Sequence, residues 1–272
     1  MNIKARHLKT ASLYVLAIVL SLWVLAPIYL IALGAFSTSA AVYSYPLQLL
    51  PHHISTTNMS FFVHSAGIIP ALERSVYVAG LSLAIALAVG TPAGYALARF
   101  KFRGGSTLQL GIVGTRAFPI VILAIPLSVT FIRWGIDDSV LGVSLAHAAL
   151  ALLLVVLTTA SIFSGISVEL EEAAMTLGCT RASAIARVVM PLAIPGLAAS
   201  AIFVLLLSWN EVFAASTLTL LHRTLPAQVL AVLDQALLPF RFAGGFFLLA
   251  PALVIVFAIR RFLFSMWGVV VK

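Results

Sequence analysis

Six long apolar runs divide the chain, at about residues 11–33, 74–98, 107–132, 140–163, 192–215 and 244–264. Each is close to or above the ~20 residues with which a helix crosses a ~30 Å hydrocarbon layer. A helix satisfies its own backbone hydrogen bonds where no water is present. The pattern therefore predicts an all-α membrane protein of about six transmembrane helices. Three longer interruptions separate the runs. Residues 34–73 carry the turn-forming, histidine-bearing "YSYPLQLLPHHISTTNMS". Residues 216–243 contain "LPAQVLAVLDQALLPF", whose Leu230, Leu233, Leu237 and Leu238 predict a short helix against the bundle mouth. The third interruption, residues 165–191, lies between the fourth and fifth runs and has its own periodicity.

In that third segment Ser167 is placed to cap a helix. Glu169, Glu171 and Glu172 follow in the first turns, where carboxylates suit the positive helix end. Leu170, Ala173, Ala174 and Leu177 recur at i, i+3, i+4 and i+7 and predict one apolar stripe. Gly178 suits the left-handed turn that ends a helix. A second stripe follows at Ile185, Val188, Val189 and Leu192, and Pro191 and Pro195 mark the bend into the next span. The segment reads as helix, glycine turn, helix. Ala173 and Ala174 are small enough to let another surface approach the backbone. From the residues alone, a surface helix on an ordinary loop and a docking element stand as alternatives.

Composition supports the membrane reading. The chain is 62% hydrophobic and 9% charged, against roughly 45–50% and about 25% for soluble domains. The run from Ala11 to Leu33 exceeds a signal peptide's apolar region of about 7–15 residues, so it is read as a retained first helix. The organisation expected is a single transmembrane domain over 1–272, with a first helix at 11–33, a five-helix core at 70–264 and the inserted loop at 165–191. With the N-terminus inside, eleven Lys and Arg residues fall in inner segments and four in outer ones, which places both termini in the cytoplasm. The net charge of +8 comes from short clusters beside apolar spans, without a basic stripe or aromatic interleaving. Nucleic acid is not an expected partner. One cysteine, Cys179, excludes an internal disulfide and reads as a small packing residue.

Candidate chemistry is sparse. Arg116 and Glu211 are charges within apolar runs, where such groups face an interior or a cavity. Glu211 follows Trp209 and Asn210. These residues either line a translocation pathway or tie helices together, and an Arg116–Glu211 pair is one possible arrangement. Trp209, Phe213, Phe118 and Phe131 are aromatic candidates for stacking on a sugar, against the commoner role of packing. His52, His53 and His64 lack a Cys or carboxylate at ligand spacing, so a solvated outer segment is the better reading than a metal site. Asp137 and Asp138 lie in a short outer turn, and Gly104–Gly105 is not a phosphate loop. No GxxxxGK[ST] motif occurs in the sequence. No cofactor and no enzymatic activity are expected in this chain; ATP, if it drives the protein, must be hydrolysed on another chain.

The stretch "EAAMTLGCTRASAIARVVMP" resembles the EAA loop of ABC-importer permeases. Glu172, Ala173, Ala174, Gly178, Val188, Met190 and Pro191 fill its positions, with Val188 and Met190 replacing the more usual Ile and Leu. "PAGYALARFKFRGG", "FPIVILAIPLSVTF", "SWNEVFAAS" and "TLPAQVLAV" are similar to segments of the carbohydrate branch, in particular the maltose-type second permease, over roughly residues 70–272. The resemblance implies an importer in which this chain and a second, homologous permease form the pathway. Two ATPase subunits carrying ATP and Mg drive it, and an extracytoplasmic solute-binding protein delivers the solute. Residues about 167–190 would dock on the ATPase, with Glu172 facing a partner cation, Gly178 supplying the turn, and Leu170, Ala174 and Leu177 apolar contact. The tail "FSMWGVVVK" is a weaker ATPase contact by the same resemblance. A polyamine or polyol-phosphate permease shares the loop and is the nearest alternative. An ion-coupled secondary transporter would show internal repeats and broken midplane helices, and would leave the loop unexplained.

Overall fold

The computed structural model describes residues 3–267 apart from 47, 52, 66, 101–102, 116–117 and 235. The described residues form helices and connecting turns without a strand. Five helices are long and apolar enough to cross a membrane: Thr10–Ala35 within α1 (Ile3–Ala35), α4 (Ile68–Arg99), α7 (Val140–Ser164), the stretch Arg181–Asn210, and Leu238–Phe257 within α13 (Leu238–Trp267). Between them lie α2 (Ser39–Val42), α3 (Thr57–Val63), α5 (Gly105–Gly114), α6 (Ile120–Trp134), α8 (Val168–Thr176) and α9 (Arg181–Ala184). Next come α10 (Met190–Asn210), α11 (Phe213–Leu218) and α12 (Leu225–Leu233).

The segment 107–132, predicted as one span, is divided between α5 and α6. Pro119 caps α6 in an extended conformation, φ −61° and ψ 136°, and proline also steers the residue before it out of the helical region. With 15 residues, α6 is only about 22 Å long at 1.5 Å per residue. The span predicted at 192–215 also ends early. Glu211 is extended, and the chain restarts as the short α11. The short helix predicted within 216–243 is α12, which ends at Leu233 and so excludes Leu237 and Leu238; on it Leu225 and Ala227 are buried while Leu230 is exposed.

Two compact units are separable. One comprises residues 1–68 and 229–250. Here the Phe242 ring lies against Gly34, where an added Cβ would fall 2.4 Å from it. Phe36 meets Phe246 edge to face, with centroids 4.9 Å apart. Asn58 organises the segment after α1: it donates to the Ser37 carbonyl and accepts from Ser39 Oγ. His64 Nδ1 is 2.7 Å from its own helix carbonyl at Ser60, and His53 is exposed. His52 lies outside the described residues.

The other unit comprises residues 69–228 and 251–272. Its core is α7, half of whose best membrane-length window is buried. Helix α4 crosses it at Gly90 and Gly94, spaced as G-x-x-x-G, the spacing at which helix backbones approach closely. A Cβ on Gly90 would lie 2.6 Å from Val155 Cγ1, and one on Gly94 2.0 Å from Thr159 Oγ1. Thr159 donates to the Gly90 carbonyl across this contact. On the other side Thr158 and Ser200 bring α7 against α10, their hydroxyl oxygens 2.9 Å apart. Phe131, one of the aromatic sugar-contact candidates, is core here, packed with Val78, Val143 and Leu218.

Candidate functional site

The polar insert between α7 and α10 is a helical knob. Ser167 caps α8, accepting from the Glu169 N–H at 3.2 Å. The helix closes with two reversed bonds, Cys179 N–H to Ala174 O and Gly178 N–H to Met175 O. This is the Schellman closure, which needs a left-handed residue after the helix. Gly178 provides it with φ +93°, and nothing lies within 4 Å of where its Cβ would be. Thr180 then caps α9, accepting from Ser183 N–H. A π-helical turn at Ile185–Val189 leads into α10, with Pro191 in its first turn and exposed.

The stripe read from the sequence divides between two faces. Ala174 is buried, whereas Leu170, Ala173 and Leu177 are exposed, Leu177 to 86%. Glu172 also faces outward. The knob thus presents Leu170, Glu172, Ala173 and Leu177 on a face that this chain leaves open. The neighbouring Glu171 turns inward and is 2% exposed. Its Oε1 accepts from the Tyr95 hydroxyl at 2.5 Å and lies 3.5 Å from Arg181 Nε. Its Oε2 accepts from Arg99 Nε at 3.2 Å. Arg99 also donates to the carbonyls of Phe163 and Ile166, each at 3.0 Å, which satisfies the last turn of α7. The sequence pattern marks Glu171 only as a first-turn carboxylate suiting the helix end. The signal available was position: on a helix, residue 171 shares a face with Ala174 three residues on, and Ala174 is the buried member of the stripe.

The second candidate site surrounds the α10–α11 break. Trp209 is buried, Asn210 is exposed and donates to the Leu206 carbonyl, and Glu211 is 11% exposed in its side chain. Glu211 accepts from the N–H groups of Ala214 and Ala215 at 2.9 and 3.1 Å, capping α11. Its Oε2 lies 3.2 Å from His147 Nε2, and His147 Nδ1 lies 2.9 Å from Ser208 Oγ. An ionised carboxylate can only accept, so Nε2 donates to Glu211, while Nδ1 faces the Ser208 hydroxyl. All four groups are satisfied within the bundle. Arg116, the pairing partner considered from the sequence, lies outside the described residues; among those described, His147 is the ring that faces Glu211. His147 went unnoticed because nothing in its "SLAHAAL" context distinguishes a buried histidine from a helix-face one.

A third cluster joins two turns. Asp138, at φ +47°, accepts from the N–H groups of Leu220, Leu221 and His222 at 2.8 to 3.1 Å, and its Oδ2 lies 2.9 Å from His222 Nδ1. Burial works against its charge, but the N–H groups of His222, Leu220 and Leu221 outweigh it and hold the carboxyl below its ordinary 3.8.

Long apolar helices carrying a polar helical knob, with their charges used to fasten helix ends, define a membrane-embedded helical protein. The sequence profile of binding-protein-dependent transport system inner membrane components matches residues 90–266. Over 182 residues the chain is 31% identical to the trehalose transport system permease protein SugB of Mycobacterium tuberculosis, spanning 67% of this chain and 66% of that protein. It is 28% identical over 200 residues to the spermidine/putrescine transport system permease protein PotC of Escherichia coli, spanning 73% and 76%. The fold matches a chain in the crystal structure of a bacterial ABC transporter involved in the import of the acidic polysaccharide alginate, with a TM-score of 0.77 at 22% identity, covering 96% of this chain and 98% of that one. The chain belongs to the binding-protein-dependent ABC-importer permeases, multi-pass inner-membrane components that carry out transport rather than enzymatic chemistry.

Proposed function

We propose that this chain forms, with a second permease, the membrane pathway for a carbohydrate, and that the α8 knob docks on an ATPase subunit carrying ATP and Mg. The observation that carries the docking reading is the exposed face of Leu170, Glu172, Ala173 and Leu177 beside the Gly178 turn. Leu177, 86% exposed at the tip of the capped helix, supplies the apolar contact in this reading. In this reading Glu172 meets a basic residue of the ATPase, while the buried Ala174 anchors α8 on its inner side. The positive charges beside the spans support a cytoplasmic location for both termini and for the knob. A solute-binding protein delivers the solute to the opposite side.

The carbohydrate reading draws on the trehalose permease relative and on the sugar-branch residues around Trp209–Glu211. The polyamine relative keeps a second reading open, and Glu211 bears on it. A polycation needs free carboxylates along its path, whereas this carboxylate is engaged by His147 and two backbone N–H groups. The test of docking is Gly178→Asp in the coexpressed complex: the variant should reach the membrane, but lose uptake and copurifying ATPase. Normal uptake would refute the docking reading. Solute class is decided by screening sugars and polyamines against the cognate binding protein, and tight binding of a polyamine alone would overturn the carbohydrate assignment.

A further inference from the structure

Glu171 has no role in the open face of the knob, yet it is the most enclosed carboxylate there. It sits where three elements meet. Tyr95 and Arg99 come from the last two turns of α4, and Arg99 simultaneously holds the end of α7 through Phe163 O and Ile166 O. Arg181, over the Phe100 ring at 4.9 Å, closes the carboxylate from the side of α9. The Tyr95 ring stands edge-on to Phe163 with centroids 5.4 Å apart. Beneath them lies an apolar cluster of Phe163, Val189 and Ala193. Arg99 and Glu171 are 3% and 2% exposed, so each is a buried charge whose partner cannot be withdrawn without leaving it uncompensated. Such a contact has one low-energy arrangement and resists sliding.

We infer that Glu171 is a positioning residue of the transport cycle. Through Tyr95, Arg99 and Arg181 it makes α8 and the adjoining ends of α4 and α7 one rigid body. A displacement of the knob is then handed to those two helices rather than absorbed in the loop. This inference rests on the docking reading above. It differs in assigning the work to a residue that touches no partner, beside the exposed Glu172.

The test uses the assembled importer in lipid nanodiscs, with Cys179→Ala and spin labels at two exposed positions, Thr176 on α8 and Val89 on α4. The wild-type complex should give one narrow label distance, unchanged between the nucleotide-free and vanadate-trapped states. Glu171→Ala should broaden that distance and lower solute imported per ATP hydrolysed on the order of tenfold, the size of an ordinary coupling energy. Copurified ATPase should stay at the wild-type amount, because the docking face is intact. Glu171→Gln, which keeps an acceptor for Tyr95 and Arg99, should fall between. A wild-type distance that shifts on trapping, or a Glu171→Ala complex with a narrow distance and full coupling, would overturn the inference. Absence of ATPase from the wild-type preparation would instead strike the docking reading, and the label distance in the permease alone would still report on the joint.

Discussion

Helix α4 contains an internal control for close packing. A methyl group added at Gly94 would sit 2.0 Å from Thr159 Oγ1, 2.8 Å from the Ala160 backbone nitrogen and 2.9 Å from Thr159 Cβ. The hydroxyl can rotate away, but the backbone nitrogen cannot. Gly94→Ala therefore forces α4 and α7 apart, an overpacking cost of about 1–3 kcal/mol. It also displaces the Thr159 bond to the Gly90 carbonyl. At Gly80 on the same helix nothing lies within 4 Å of an added Cβ, so Gly80→Ala should stabilise by up to about 1 kcal/mol through helix propensity alone. Each variant adds one methyl to the same helix, and the two are expected to move in opposite directions. At roughly 2–4 °C per kcal/mol for a chain of this size, their heat-denaturation midpoints in detergent should be separated by roughly 5–15 °C. Thr159→Ala in the Gly94→Ala background should recover only part of the loss, since the Ala160 contact remains. Equal midpoints for Gly80→Ala and Gly94→Ala would refute the close crossing of α4 and α7.

Two further outcomes follow from the polar clusters. The Asp138 carboxyl is depressed in the folded protein, so its contribution is fully present above the ordinary 3.8 and is lost as pH falls through the lower folded value. Protection of the Leu220–His222 amides, relative to intrinsic exchange, should fall below about pH 4 in the wild type and be already low and pH-insensitive in Asp138→Ala; strong protection in that variant would remove Asp138 as the clamp. Glu211→Ala leaves the Ala214 and Ala215 N–H groups and His147 without their acceptor, a cost of about 1–3 kcal/mol for each buried group stranded. Its denaturation midpoint should drop well below that of Glu172→Ala, which only removes an exposed side chain, and matching midpoints would count against the capping role.

Much of this was legible in the sequence where one physical rule acted alone. Hydrophobic length placed the membrane-crossing helices, and Ser167 with Gly178 marked both ends of α8, because caps and left-handed turns demand particular residue types. Legibility failed where two rules met in one segment. In 107–132 apolar length argued for a single span, but Pro119, extended ahead of α6, carries local geometry that divides it. In 192–215 the run stays apolar through Phe213–Ala215, and the break comes from Glu211 capping a new helix, a preference visible only once its backbone is extended. The Glu171–Glu172 pair shows the remaining limit. Two identical neighbours 100° apart on a helix differ only in what stands opposite them, and Tyr95 and Arg99 lie more than seventy residues earlier in the chain.

Helix α7 links the two buried carboxylate clusters. Near one end it carries His147, which faces Glu211. At the other, its last carbonyls are held by Arg99, which also holds Glu171. His147 and Phe163 are sixteen residues apart, about 24 Å along a straight helix. Sites so separated, with no shared partner, add in their effects on stability to within about 0.5 kcal/mol. Glu171→Gln and Glu211→Gln should therefore lower the denaturation midpoint additively. Uptake is a different quantity. If α7 is a strut that carries movement of the knob to the α10–α11 break, loosening either end disables the same transmission, and the double variant should import little worse than the poorer single one. Measured uptake that falls by the product of the two single effects, alongside additive stability, would show that the clusters act independently and that α7 is only scaffold between them.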